Sequence, residues 1–530
     1  MKQTLHIFLK DMRRFWGEIF VSVAVTAALI GICIGLHGNG HSVQDIHTQI
    51  FATLASLLMA LVPAGWWVVI TRVIHAERLV GDTQFWITRP YVWNKLLSAK
   101  LLYMLAFISV PFFIAQCVIL AVAGFAPLHY IPGLLYELLL LAGTIILPLA
   151  AIAAVTSSFA RMALTLLGIF LAFIGFYALA ALYFSSPGSG VASHLGIRLC
   201  LALALLVCPA AIVLQYAWRK VWISRSVLIV LPALLIATIF FSYKYDQAQI
   251  DNNYPATQTA VPIQLKFSPH VHGSQTYNLQ PSAQVPIQID LAESGVADGY
   301  AILVDAVRVQ ILAPNGSHWE SEWQGVNGFK FLPGELLFNP DFWMPMEVYN
   351  KFQSMPLSMH LSFAITLAQA GKMNTVPMSL DWFAVPEFGV CSPLIWSPEV
   401  GQPVGMGCDA ALRAPQLTYI STRWSDGPCS AGPPAADSGV LGTGWVGSID
   451  REPAQFALNP VIALPVNLSN SEILNTPGGK PRFLCPGTPI TFTQYNKIGR
   501  MRTSVDIQGY HLPKITGEGN MLTITSEALR

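Results

Sequence analysis

The chain is short of charge. Only 11% of its 530 residues are Asp, Glu, Lys or Arg, while 53% are apolar, against about 25% charged residues in an ordinary soluble domain. The shortage is confined to Phe15–Tyr243; from Asp246 onward charge returns to an ordinary level. Two halves with different solvents are therefore expected. A net charge of +1 makes no case for nucleic-acid binding. Catalytic signatures are also missing. A P-loop needs GxxxxGK followed by Ser or Thr, so that backbone amides and Lys cradle phosphates. Here Gly371-Lys372 is followed by Met373 and Gly479-Lys480 by Pro481, and neither qualifies. No nucleophile elbow and no carboxylate pair in a recognisable context is present, so no catalytic residue is assigned.

Metal chemistry is equally thin. No CxxC pair occurs among Cys391, Cys408, Cys429 and Cys485, which makes zinc a weak rival to disulfides. An even set of four in a polar half permits two disulfides in any of three connectivities. Cys33, Cys117, Cys200 and Cys208 lie in apolar runs, where cysteine behaves as a small hydrophobe. His270 and His272 would share one strand face, but with no third ligand they read as surface histidines. Gly442–Gly447 satisfies a dinucleotide-binding pattern without the strand–turn–helix frame it needs, and is expected to be a turn. Of the seven tryptophans from Trp319 to Trp445, most are expected in the core.

What is abundant is long apolar sequence. A spanning helix needs about 20 mostly apolar residues. Seven such stretches are expected, near 17–37, 50–72, 100–124, 132–155, 162–184, 196–217 and 223–242. The first reads as a span, not a cleaved leader, because no small-residue cleavage site follows it. Lys and Arg segregate to alternate connections: Lys2, Lys10, Arg13 and Arg14 before the first stretch, then Arg72, Arg78, Arg89, Lys95 and Lys100, then Arg161, then Arg219, Lys220 and Arg225. The positive-inside rule then puts the N-terminus in the cytoplasm. An odd number of spans puts everything after Tyr243 outside, in an inner-membrane protein with a periplasmic half. Pro63, Pro111, Pro148, Pro209 and Pro232 fall inside the stretches, where each removes a backbone bond and kinks its helix unless neighbours compensate. Glu137 is the one carboxylate clearly within a stretch. It is either a functional intramembrane acid or a solvated residue near the helix end.

Before the first stretch, Leu5, Phe8, Leu9, Met12 and Phe15 fall at helical spacing. They fit an amphipathic helix lying in the membrane interface or, equally, a plain positively charged flank. After Tyr243 the pattern changes to short alternating runs, Val261–Phe267, Val285–Leu291, Ala301–Leu312 and Met359–Leu367, with a tight-turn signal at Asn315-Gly316. The expected fold class is an α-helical polytopic membrane domain followed by a β-rich, sandwich-like extracytoplasmic region. The expected divisions are an interfacial helix at 1–16, a membrane domain at 17–243, a β domain at 244–398 and a second, loop-rich β unit at 399–530.

The segment from His75 to Lys100 bears most directly on function. It is long and patterned: Asp82 and Thr83 can cap a short helix, and Arg89-Pro90 ends it. That helix would expose Phe85 and Trp86 between charges, which suits either a docking element or an aromatic belt at headgroup depth. The stretch resembles the corresponding loop of permease subunits of type-2 ABC transporters, the exporter class. In these an acidic residue, a Gly, a Thr/Arg-Pro element and a Lys at the start of the third span recur. Glu77, Gly81, Asp82, Thr88, Arg89, Pro90 and Lys100 stand at matching places, and Gln84–Pro90 followed by Lys95–Lys100 is similar to one bacterial branch. The likeness extends over roughly residues 1–220.

It implies a permease subunit whose loop, from Glu77 through Phe85 and Trp86 to Pro90, docks on a separate ATPase subunit. It also implies a homodimer or a pair with a related permease chain, no cofactor on this chain, and ATP with Mg on the partner. The seventh span and the large outer region depart from the family. The alternatives are a membrane-anchored binding or sensing module and, less favoured for want of a catalytic set, an anchored enzyme.

Overall fold

The computed structural model describes residues 2–38, 46–77, 92–183, 194–219, 221–256, 263–268, 275–278, 284–289, 291–294, 296–331, 341–394, 405–412, 416–425, 429, 440–446, 460–466, 483–516 and 521–525. The N-terminal half is helical: α1 (Lys2–Arg14), α2 (Trp16–Gly38), α3 (Ile46–His75), α4 (Trp93–Val122), α5 (Pro127–Val155), α6 (Phe159–Tyr183), α7 (His194–Val213) and α8 (Val221–Asn253). Among the described residues six helices are long and apolar enough to cross a membrane: Trp16–Gly35, Thr53–His75, Trp93–Val122, Pro127–Val155, Arg198–Trp218 and Val221–Thr238. The chain is a multi-pass membrane protein. The fifth expected stretch forms α6, which runs 25 residues from Phe159 to Tyr183.

Proline acts here through helix widening. Pro111 and Pro148 each stand beyond a π-helical turn, Leu105–Ser109 and Ala142–Ile146 respectively, with one residue between. A proline at either position leaves the carbonyl four residues back, Phe107 or Thr144, without its usual donor. Both carbonyls lie inside the widened turns, where Val110 N–H reaches Leu105 O and Leu147 N–H reaches Ala142 O, five residues back. A π-turn is a known way to absorb such a defect. Pro63, Pro209 and Pro232 sit inside otherwise continuous α-helices.

Two compact units make up the chain. The first comprises Met1–Phe170, Ile197–Thr238 and Lys372–Gln494; the second comprises Leu171–Gly196, Ile239–Gly371 and Tyr495–Arg530. The chain passes between units inside α6, α7 and α8 and inside two long strands, Leu357–Pro377 and Pro489–Tyr510.

In the first unit the helices share one apolar core that includes Trp66, Ile70, Tyr103, Leu120, Ala151 and Cys208. Its β part holds an antiparallel sheet in the order Phe383–Val385, Gly389–Leu394, Gly405–Ala411, Val461–Val466. Strand Thr418–Trp424 pairs on one side with Val440–Val446 and on the other with the start of Pro489–Tyr510. The dinucleotide-like Gly442-Thr-Gly-Trp-Val run therefore lies in a strand and not in a turn. Gly444 faces Ile420 in register, and Trp445 packs on Tyr419 at 5.0 Å between ring centroids. Cross-strand pairing outweighs the local turn preference of glycine.

The four cysteines of this β part pair as Cys391–Cys408 and Cys429–Cys485. The first links residues directly opposite each other in adjacent strands. Val390, Ala411, Leu412 and Val461 join the helical core itself, so this sheet packs on the end of the helices that carries Phe125, Tyr130 and Leu134.

In the second unit Tyr300–Leu312 pairs along its length with Leu357–Pro377 and, on its other edge, with His318–Glu320 and Gln324–Phe331. Alternation along Val307–Leu312 buries Val307, Val309 and Ile311 in a core with Phe363, Leu361 and Phe352, whereas Ala301–Val304 are buried on both faces. The turn after it uses Asn315-Gly316 as expected: Gly316 takes φ +80°, and Asn315 Oδ1 accepts from Ser317 N–H. The expected strand at 285–291 is instead two. Gln284–Gln288 pairs with Asp341–Pro345, and Leu291–Ser294 with Gln264–Phe267, because different partners claim its two ends. The last turns of α8 lie on this unit's sheet. Ile250 and Tyr254 pack with Ala306, Trp323 and Ala364, and Gln247 bonds both the N–H and the C=O of Trp323 at 2.9 Å. Trp323 and Trp424 are buried.

Candidate functional site

The helix α1 presents three faces. Ile7, Asp11 and Phe15, four residues apart, are buried against the bundle; Leu5, Leu9 and, beyond the helix end, Trp16 are exposed apolar residues; Lys2, Arg13 and Arg14 are exposed. One face for protein, one apolar and one charged is the arrangement an interfacial helix needs. Phe8 stacks on Phe107 at 5.7 Å and meets Tyr103 edge-on at 6.3 Å, which lays α1 along the start of α4.

Asp11 on the buried face is matched by Lys100. Lys100 Nζ donates to Asp11 Oδ2 at 2.6 Å, with both side chains only 1% exposed. Lys10 Nζ donates to Glu77 Oε1 at 2.7 Å, and Glu77 lies 4.0 Å from Lys100. Lys10 is also 3.9 Å from Asp11. Two lysines and two carboxylates thus form a compact cluster of zero net charge. A lone buried charge is costly, but opposite charges in hydrogen-bond contact offset that cost. Tyr103 and Tyr216 are buried in the same helical core, and the π-turn Leu214–Trp218 contributes Tyr216.

The cluster has a definite topological meaning. Glu77 is the last described residue after α3, and Lys100 lies in the second turn of α4, so the two flank the His75–Lys100 connection. Both are fastened to adjacent residues of α1. Nearby contacts gather the other helix ends at this level. His75 Nε2 lies 3.0 Å from Ala153 O and 3.2 Å from Thr156 Oγ1, and Arg225 donates to Val155 O at 3.2 and 3.3 Å. Basic groups at the C-terminus of α5 satisfy its last carbonyls and suit its dipole.

Of the residues singled out in the sequence, the structure brings Glu77 and Lys100 together. Gly81, Asp82, Phe85, Trp86, Thr88, Arg89 and Pro90 lie outside the described residues, as do His270 and His272. Glu137 is 3% exposed. Its carboxyl is therefore buried and not solvated. No group of three or more metal-ligating side chains occurs among the described residues. In the sequence Lys10 stands out only as part of the N-terminal positive charge, and Asp11 does not stand out as a site residue. The signal was Asp11 itself, an acid in register with Ile7 and Phe15 on a face otherwise apolar. No family model and no curated protein matches the chain.

Proposed function

We propose that this chain is the membrane-spanning permease subunit of an ABC-type export system, driven through the 75–100 connection by a separate ATPase subunit. The observation that carries the reading is the buried cluster that binds both flanks of that connection, Glu77 and Lys100, to Lys10 and Asp11 of the N-terminal helix. A loop meant to receive a push must be stiff at its roots. Charge pairs buried in a tightly packed bundle supply that stiffness, and a free-hanging turn does not need it.

On this reading seven helices cross an inner membrane, with α6 the fifth. The N-terminus, the cluster and Phe85 and Trp86 face the cytoplasm, following the Lys and Arg segregation. The β half would form a sandwich-like periplasmic region, in keeping with its two disulfides. Two such chains, or this one with a related permease, enclose the path, and ATP with Mg binds the partner. Affinity purification of the full chain should recover a P-loop ATPase, and Glu77→Ala, Phe85→Ala or Trp86→Ala should weaken that association. Failure to recover any nucleotide-hydrolysing partner, or labelling of residues 77–90 from the same side as Cys408, would sink the proposal.

A second reading, an anchored sensing module, is favoured by the docking of α8 on the second unit's sheet. The paired bonds from Gln247 and the Asp251–Arg502 contact at 2.6 Å make that helix a firm mechanical link. It predicts ligand-dependent changes at Gln247 that are indifferent to Phe85 and Trp86.

A further inference from the structure

Three arginines and a ring of apolar residues lie where α1 turns into the first span. Arg14 Cζ lies 5.3 Å and Arg72 Cζ 5.9 Å from the centroid of the Phe15 ring, so guanidiniums from two helices converge on one aromatic side chain. Phe15 itself is buried and fixes their position. Glu18 Oε1 accepts from Arg72 Nε at 3.2 Å. Among the described residues, Arg14 and the terminal nitrogens of Arg72 have no acceptor. Arg13, the residue before Arg14, is also exposed, so among the described residues named here three arginines stand against one carboxylate, Glu18.

The position along the membrane is equally defined. The first span begins at Trp16 and the second ends at His75, which places both guanidiniums at the level where headgroups lie. Below them Trp16 and Phe20 are 69% and 65% exposed and, with Val23, share one outward face of α2. That face gives an acyl chain a track leading away from the arginines.

We infer that Arg14 and Arg72 hold the phosphodiester of an anionic glycerophospholipid over Phe15, with its acyl chain along Trp16 and Phe20. Planar guanidinium forks match phosphate oxygens in geometry as well as charge. Juxtamembrane arginines attract anionic lipid within a Debye length of the surface. Tryptophan at headgroup depth supplies the amphipathic neighbour. The excess positive charge distinguishes this lipid class from zwitterionic ones. The inference stands apart from the transport reading, since it needs only the spans and these side chains.

The test uses the full chain purified in a neutral detergent. Thermal unfolding is followed while phosphatidylglycerol, phosphatidylcholine or inorganic phosphate is added, with native mass spectrometry to count retained lipids. Phosphatidylglycerol should stabilise the chain and be retained, and its apparent affinity should fall about fivefold for each arginine lost, as in Arg14→Gln and then Arg14→Gln with Arg72→Gln. Arg14→Lys keeps the charge but not the fork and should fall between; Arg14 is exposed and, among the described residues, its guanidinium has no acceptor, so neither change at this position threatens folding. Equal stabilisation by phosphatidylcholine or by inorganic phosphate would overturn the inference. So would an Arg161→Gln control that weakens phosphatidylglycerol binding as much as Arg14→Gln, since the effect would then belong to the general basic rim.

Discussion

Leu412 is seated on Gly133: a β-carbon built on that glycine would stand 2.8 Å from Leu412 Cδ1. Leu412 holds φ +59°, a left-handed conformation that costs a residue with a side chain about 1 to 2 kcal/mol. Its N–H bonds Pro460 O at 2.7 Å, and its side chain is buried in the helical core. Strain in the backbone is repaid by burial at the seat. Gly133→Val should lower the unfolding temperature, and Leu412→Ala should cost about 2 to 5 kcal/mol. The double change should cost less than the sum, because each removes the other's clash or cavity. Leu412→Gly should be no worse than Leu412→Ala, reversing the usual order, since glycine relieves the positive φ.

The Lys100–Asp11 pair gives a second prediction. Lys100→Met or Asp11→Leu alone strands a buried charge and should destabilise by about 3 to 5 kcal/mol. The two together leave the Lys10–Glu77 pair intact and should recover most of that loss. Thermal unfolding in detergent of the four proteins reads the coupling directly. Simple additivity would mean that the pair contributes little to the fold.

Reduction should affect the two disulfides unequally. In the loop-entropy account, closing the longer loop constrains the unfolded chain more, about 4 kcal/mol for Cys429–Cys485 against about 3 for Cys391–Cys408, whose separations are 56 and 17 residues. Cys429→Ser with Cys485→Ser should therefore lower stability more than Cys391→Ser with Cys408→Ser. Denaturant titration of the paired variants checks the order.

Asp305 predicts a pH dependence. Burial raises its carboxyl above the usual 3.8, against the opposing bonds from Thr366 Oγ1 and Tyr254 Oη and the nearby Arg500. The folded state thus holds its proton to higher pH than the unfolded state. This group's contribution to stability is greatest below pH 3.8 and is lost as pH rises through the raised folded value. Asp305→Asn keeps an oxygen that accepts from both hydroxyls and removes the ionisation. It should flatten this part of the stability profile and match or exceed the parent protein at neutral pH. A pH series of thermal unfolding midpoints, compared between the two proteins, measures it.

Much of the local architecture is legible from residue order. The loss of charge between Phe15 and Tyr243 marks the membrane half because hydrocarbon penalises charge whatever the tertiary arrangement. The alternation in Val307–Leu312 marks a strand with one buried face, and Asn315-Gly316 marks its turn, because both signals act over a few residues. The fate of Pro111 and Pro148 was only half legible. Loss of a donor is certain from the sequence, but whether the helix kinks or widens depends on what packs beside it. The run at Gly442 misled for a similar reason: a strand opposite Thr418–Trp424 gives glycines a ladder that their own preferences do not suggest.

The candidate site shows the same limit. The sequence determined by itself that the chain is multi-pass, that a patterned connection joins His75 to Lys100, and that Glu77 and Lys100 stand at its ends, since these follow from composition and short-range spacing. Tertiary structure alone decided that Asp11 meets Lys100 across 89 residues, that Leu412 rests on Gly133, and which cysteine takes which partner. Such contacts are set by how helices and sheets close on one another in space. Burial then decides whether a charge is stranded or paired, and no local pattern in the chain carries that information.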